Sequence, residues 1–226
     1  MIRYILLIFN ILIFTPFFSL IIIFIGLFDK QKNYTSYFAK LWAKIILKFS
    51  LVNCTIKGIE NIRISDKFVI ISNHQSFIDI LVTFSLLPLN ISFFTKKELF
   101  YVPLFGWALY SAGMIPVDRY NKSKSKESVN LALKRINKMN LSILNYPEGT
   151  RTSFEGLKPF KKGGFILAIE SNIPILPICI IYNKNNITNN VRIVVADSIE
   201  TLNYNIEQRD DLISITRDTI IKSMNT

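Results

Sequence analysis

The stretch FVIISNHQSFID, residues 68–79, decides how this chain is read. Its first five residues form a short run of bulky and β-branched side chains, as in a buried strand. The next residues are polar, and Ser76-Phe-Ile-Asp79 carries the S-x-x-D spacing that starts helices. A buried strand that ends in polar residues and turns into a helix is where open α/β sheets place their active sites. His74 is the only histidine in the chain. It lies five residues before Asp79. On one regular helix that separation sets two side chains about 140° apart, so they share no face. They meet only if His74 sits in the turn and folds back over the first helical turn. There the carboxylate would accept one ring N–H and leave the other nitrogen as a base. The spacing alone leaves a second reading open, in which Asp79 is simply the capping residue of the helix.

The same alternation continues outward. Strands are expected at Cys54–Lys57, Phe68–Ser72, Ile91–Thr95, Met114–Val117, Ser142–Tyr146, Ile175–Tyr182 and Arg192–Ala196. Helices are expected at Ile78–Ser85, Lys126–Lys138, Phe165–Ser171 and Arg209–Lys222. Strands alternating with helices predict an α/β fold: a mixed, largely parallel sheet with helices on both faces. The charged run NKSKSK, residues 121–126, reads as a solvated loop.

Before residue 53 the composition changes. No charged residue occurs from Tyr4 to Phe28, a run long enough to cross a bilayer as a helix. Asn10, Thr15 and Pro16 interrupt it, so a kinked span and a segment dipping into one leaflet both remain open. Lys30, Lys32, Lys40, Lys44 and Lys48 follow it, against Arg3 before it. This bias predicts a body facing the cytoplasm from the cytoplasmic membrane. From Tyr34 to Leu51, lysines every four residues form one stripe, opposed by Phe38, Leu41, Trp42, Ile45, Ile46 and Phe49. Such a helix lies in a membrane interface or packs on a core. Residues 1–52 are therefore expected to form a membrane anchor, and residues 53–226 a catalytic domain.

Lys and Arg number 27 against 16 Asp and Glu, a formal charge of +11 that favours an anionic partner. Beside an apolar segment, that partner is expected to be an anionic inner-leaflet membrane. No zinc-finger spacing or aromatic RNA-binding signature accompanies the charge, so no specific nucleic acid is expected. The two cysteines, Cys54 and Cys179, lie in apolar runs and make no disulfide framework. One histidine and one aspartate without further ligands nearby predict no metal site.

Four segments occur in an order that resembles the glycerolipid acyltransferases. NHQSFID (73–79) is similar to that family's N-H-x4-D block. GMIPVDR (113–119) resembles its second block. YPEGTRT (146–152), with FKKGGF (160–165) behind it, resembles the third, and IPILP (173–177) the fourth. KKELFYVPLFGW (96–107) matches the usual sequence between the first two blocks. Together these cover roughly residues 54 to 196. Tyr146 stands where Phe is usual, Thr152 for Ser and Gly164 for Ala, and none of these removes a polar group the chemistry requires.

The resemblance implies a catalytic dyad of His74 and Asp79. It assigns Arg119, Glu148, Gly149, Thr150 and Arg151 to a phosphate-bearing acceptor. Beside the resemblance, Lys96, Lys97, Lys161 and Lys162 either supply further positive field or are solvated surface lysines. The implied reaction moves a fatty acyl group to the sn-2 hydroxyl of lysophosphatidic acid without a cofactor. Its co-substrate would be an acyl-CoA or acyl carrier protein thioester. Another lysophospholipid, glycerol 3-phosphate or a lyso-aminolipid is an alternative acceptor. A non-catalytic lipid-binding protein is the alternative from another class.

Overall fold

A computed structural model describes residues 2–118, 122–151, 156–183 and 190–225. The helices are α1 (Ile2–Gly26), α2 (Asn33–Phe49), α3 (Ile78–Leu86), α4 (Phe105–Ser111), α5 (Lys122–Lys138), α6 (Gly163–Ser171) and α7 (Arg209–Met224). The strands are β1 (Asn53–Lys57), β2 (Val69–Ser72), β3 (Ile91–Lys96), β4 (Ile115–Val117), β5 (Ser142–Asn145), β6 (Ile175–Tyr182) and β7 (Asn190–Val195). They form one sheet in the order β1-β7-β6-β2-β5-β3-β4. Every pairing is parallel except that of β6 with β7.

Successive side chains of a strand point to opposite faces, and β2 shows why its run is apolar throughout. Phe68 and Ile70 join a cluster with α1, α2, α3 and α4, while Val69 and Ile71 join one with α5, α6 and α7. All four are fully buried. The expected α/β sandwich with helices on both faces is therefore present. β2 lies at its centre, between β5 and β6.

The charged run at 121–126 departs from expectation, because α5 begins at Lys122. The sequence from Lys122 to Lys138 holds no helix breaker, and lysine is a good helix former, so the helix extends back to Lys122. The sequence reading also missed α4, a short helix buried through Gly106, Ala108 and Leu109.

α1 is continuous through Pro16, and it is long and apolar enough to cross a membrane. It is also tied to α2. Asn10 Nδ2 donates to Ser50 Oγ (3.1 Å), and Trp42 Nε1 donates to Thr15 Oγ1 (3.2 Å). The polar residues that interrupt the apolar run thus make the helix–helix contact. Asp29 begins the return: its carboxylate accepts the amides of Asn33 (3.1 Å) and Thr35 (2.8 Å), capping α2. α2 buries Ala39, Ala43, Ile46 and Leu47 in the same cluster as the sheet, and it exposes Lys44, Lys48, Tyr34, Tyr37 and Phe49. The core-packing reading of its amphipathic pattern is present on one side of the helix, and the opposite side is exposed. The outer face of α1, including Ile5, Phe9, Leu12, Phe17 and Phe24, is exposed.

Candidate active site

The site lies where β2 and β5 end side by side. β2 runs out at Ser72, and the loop to α3 carries Asn73 and His74. Asn73 continues the ladder with its side chain: Oδ1 accepts the Ile180 amide (2.7 Å), and Nδ2 donates to the Ile180 carbonyl (2.9 Å). This fixes the backbone from which His74 projects.

His74 Nδ1 lies 2.7 Å from Asp79 Oδ2, with the carboxylate fully buried and the histidine 8% exposed. The fold-back needed to bring two residues five apart together is thus present. Asp79 Oδ2 also accepts the amides of Gln75 (2.8 Å) and Ser76 (3.0 Å). The carboxylate therefore ties down the loop that leads into α3 and contacts the imidazole at once, the geometry that both readings of the S-x-x-D spacing require. Oδ1 accepts the hydroxyl of Tyr182, the last residue of β6. With Nδ1–H committed to Asp79, the basic lone pair of the neutral ring is on Nε2.

The second wall of the site comes from the end of β5. The Tyr146 ring stacks on the His74 imidazole, with centroids 4.2 Å apart and planes at 19°. Its hydroxyl is buried, and burial pushes it well above the usual phenol range. Glu148 is 4% exposed, and both its oxygens are bonded to backbone. Oε1 accepts the His74 amide (3.0 Å), and Oε2 accepts the Lys158 amide (2.9 Å). Its carboxylate thereby braces the His74 loop against the turn after β5. Gly149 has φ 72°, and a Cβ there would come within 2.5 Å of Lys161 Nζ. Only glycine suits that left-handed position beneath the lysine. Thr150 and Arg151 follow on the exposed rim.

The remaining predicted residues divide. Arg119 and Thr152 lie outside the described residues. Lys97 is in an ion pair with Asp118 (2.6 Å), and that hydrogen bond raises the Lys97 pKa. Lys162 pairs with Asp210 (3.1 Å), whereas Lys161 sits over the glycine turn. Lys96 is exposed at the end of β3. Among the described residues, no group of three or more His, Cys, Asp and Glu side chains is placed to hold a metal ion. Burial pushes the Cys54 thiol up to about 11 and the Cys179 thiol up to about 12, so neither is a thiolate nucleophile near neutral pH. Sequence reading assigned no role to Asn73, and it did not find Tyr182 or the stacking of Tyr146. The one available signal for Tyr182 was a polar-tipped aromatic closing an otherwise apolar strand.

Beside the dyad an apolar cavity of about 440 Å³ opens between α1, α3 and α4. Phe77, just before α3, and Ile80, the residue after Asp79, line it together with Phe84, Phe93, Ala108 and Met114.

Comparison with known proteins gives the same family as the four motifs. The 1-acyl-sn-glycerol-3-phosphate acyltransferase of Haemophilus influenzae is 34% identical over 161 residues, covering 68% of this chain and 67% of that protein. The chloroplastic 1-acyl-sn-glycerol-3-phosphate acyltransferase BAT2 of Brassica napus is 35% identical over 157 residues, covering 69% of this chain and 45% of that protein. The chain thus spans from under half to two thirds of the length of these relatives. The crystal structure of the 1-acyl-sn-glycerophosphate (LPA) acyltransferase PlsC from Thermotoga maritima superposes with a TM-score of 0.80 at 17% identity. That match covers 99% of this chain and 93% of that one, and it shows a shared fold. The family model described as Acyltransferase matches residues 53–181, the segment that holds the His74–Asp79 dyad and the turn around Glu148. The chain belongs to the acyltransferase family.

Proposed function

We propose that this protein transfers a fatty acyl group from an acyl thioester to the sn-2 hydroxyl of 1-acyl-sn-glycerol 3-phosphate, yielding phosphatidic acid. The observation that carries this reading is the 2.7 Å pairing of His74 with a buried Asp79 at the carboxyl end of the central strand. The activities for which the relatives are named supply the substrate class.

In the proposed mechanism His74 Nε2 takes the proton of the acceptor hydroxyl as its oxygen attacks the thioester carbonyl. Asp79 holds the ring in the Nδ1–H tautomer and stabilises the imidazolium that forms. The tetrahedral intermediate then expels the thiolate, which receives the proton from His74. No acyl-enzyme is required. The apolar cavity beside Phe77 suits an acyl chain, and Arg151, Arg119 and Lys161 are the cations proposed for the acceptor phosphate. CoA and acyl carrier protein thioesters are both compatible with this chemistry.

The helical pair supports a membrane role. α1 exposes one apolar side and buries the other against α2 and the sheet cluster, so the pair is read as dipping into one leaflet. A cleft of about 570 Å³ at the end of the pair is lined by Arg3, Lys44 and Lys48 together with Asn53 and Ser85. Cations at such a border suit the anionic headgroups of an inner leaflet. The proposed location is the cytoplasmic membrane, with the catalytic body on the cytoplasmic side.

The test is acyl transfer by purified wild type and His74→Ala. Lysophosphatidate and glycerol 3-phosphate are offered separately, each with acyl-CoA and with acyl carrier protein thioester. The expected result is phosphatidate from lysophosphatidate, reduced about 10²–10⁴-fold in the variant. Full activity in His74→Ala removes the base. Preference for another acceptor removes the substrate assignment, and no turnover with any thioester favours a lipid-binding role.

A further inference from the structure

Asp79 is held from both ends. Oδ2 receives His74 Nδ1 and the amides of Gln75 and Ser76, all from its own loop. Oδ1 receives the hydroxyl of Tyr182 from β6, 103 residues further along the chain. Three donors converging on one oxygen fix where that oxygen sits. They do not fix the plane of the carboxylate, because the terminal torsion of aspartate is broad. The tyrosine hydroxyl supplies the second point.

We propose that Tyr182 is a positioning residue for acyl transfer, pinning Oδ1 of Asp79 so that Oδ2 stays aimed at His74 Nδ1. The inference rests on the dyad reading above. Tyr182 is suited to the role in three ways. Its ring is buried in the apolar cluster of α1–α4, so the hydroxyl is delivered by a rigid body rather than by a mobile side chain. It closes β6, whose Ile180 carries the Asn73 clamp, so one strand end sets both the His74 backbone and the Asp79 carboxylate. Burial, and then the charge of Asp79, push its phenol far above its usual range, so it remains a proton donor at any working pH. The ring of Tyr146 is stacked on His74. Glu148 faces the loop but spends its carboxylate on the backbone amides of His74 and Lys158.

Because His74 is the sole histidine, ¹⁵N-histidine labelling of the full-length protein reports this one imidazole. In wild type the ring is expected as the Nδ1–H tautomer, with a proton protected from solvent. In Tyr182→Phe, which keeps the ring and its packing, that proton should exchange faster and the second tautomer should appear. In the same variant kcat should fall about 10-fold, with KM for both substrates within about two-fold, as expected for loss of one hydrogen bond to a charged group that touches neither substrate. In an Asp79→Ala background Tyr182→Phe should have no further effect on kcat, because the hydroxyl acts through the carboxylate. An unchanged His74 spectrum with unchanged kcat overturns the proposal, even if thermal stability drops, since that leaves only a packing role. An equal loss of kcat in the Asp79→Ala background also overturns it. Retained activity in His74→Ala is a different failure: it removes the dyad itself.

Discussion

The side chain of Asn73 forms two hydrogen bonds to the backbone of Ile180, accepting its amide at 2.7 Å and donating to its carbonyl at 2.9 Å. An amide side chain here substitutes for a peptide unit and extends the β2–β6 ladder by one step beyond Ser72. Asn73→Ala strands a buried N–H and a buried C=O, each costing about 1–3 kcal/mol. The expected loss is therefore about 2–6 kcal/mol in denaturant unfolding, with reduced kcat because His74 is the next residue. A loss below about 0.5 kcal/mol would show that water or another donor replaces the clamp.

Glu148 tests whether a motif carboxylate acts on the acceptor or on the loop. With both oxygens bonded to backbone amides, Glu148→Gln turns an NH₂ towards an N–H. We expect a lower unfolding temperature, a cost of about 1–3 kcal/mol, and reduced kcat with unchanged KM for lysophosphatidate. A raised KM at unchanged stability would assign Glu148 to the acceptor instead.

Gly164 and Asn145 form a matched pair. A Cβ on Gly164 would lie 2.2 Å from Asn145 Nδ2 and 3.2 Å from Ile71 Cδ1. Gly164→Ala alone should destabilise by about 1–3 kcal/mol through overpacking. In an Asn145→Ala background the clash with Asn145 is gone and only the 3.2 Å approach to the Ile71 methyl remains, so the same change should cost much less, offset by alanine's helix preference of up to about 1 kcal/mol. A double-mutant cycle with no coupling between the two sites would refute this pairing.

The cysteines predict an alkaline limit. Their folded pKa values are raised by burial from 9.0, to about 11 for Cys54 and about 12 for Cys179. Groups raised in the folded state contribute stability that is complete below the unfolded value. That contribution is lost as pH climbs from about 9 towards 11–12. Unfolding free energy measured from pH 8 to 11 should fall more steeply in wild type than in a Cys54→Ala/Cys179→Ala double variant. Parallel curves would show that the thiols do not titrate in this window.

Much of the architecture was legible in the chain. Apolar runs with β-branched residues separated by helix patterns identified seven strands within one or two residues of their observed limits, and β6 at its observed limits. Those signals are local, arising from side-chain periodicity and propensity. The start of α5 was misread because a run of lysines and serines is equally at home in a solvated loop and on an exposed helix. α4 escaped because seven residues rich in aromatics and small side chains show too few turns to set a period.

The sequence by itself determined most of the elements and the family, and it singled out His74 and Asp79 as a candidate pair, since these depend on residue types at short separations. Only the tertiary structure decided what surrounds the dyad. The sheet order places β2 between β5 and β6, so Glu148 and Tyr146 arrive from one neighbour and Ile180 and Tyr182 from the other. Partners 72 to 107 residues apart leave no periodic trace, because strand neighbours are chosen by how whole layers pack and not by local pattern. The double duty of Asp79, as helix cap and as histidine partner, likewise emerges only when the loop closes and one carboxylate oxygen meets three donors at once.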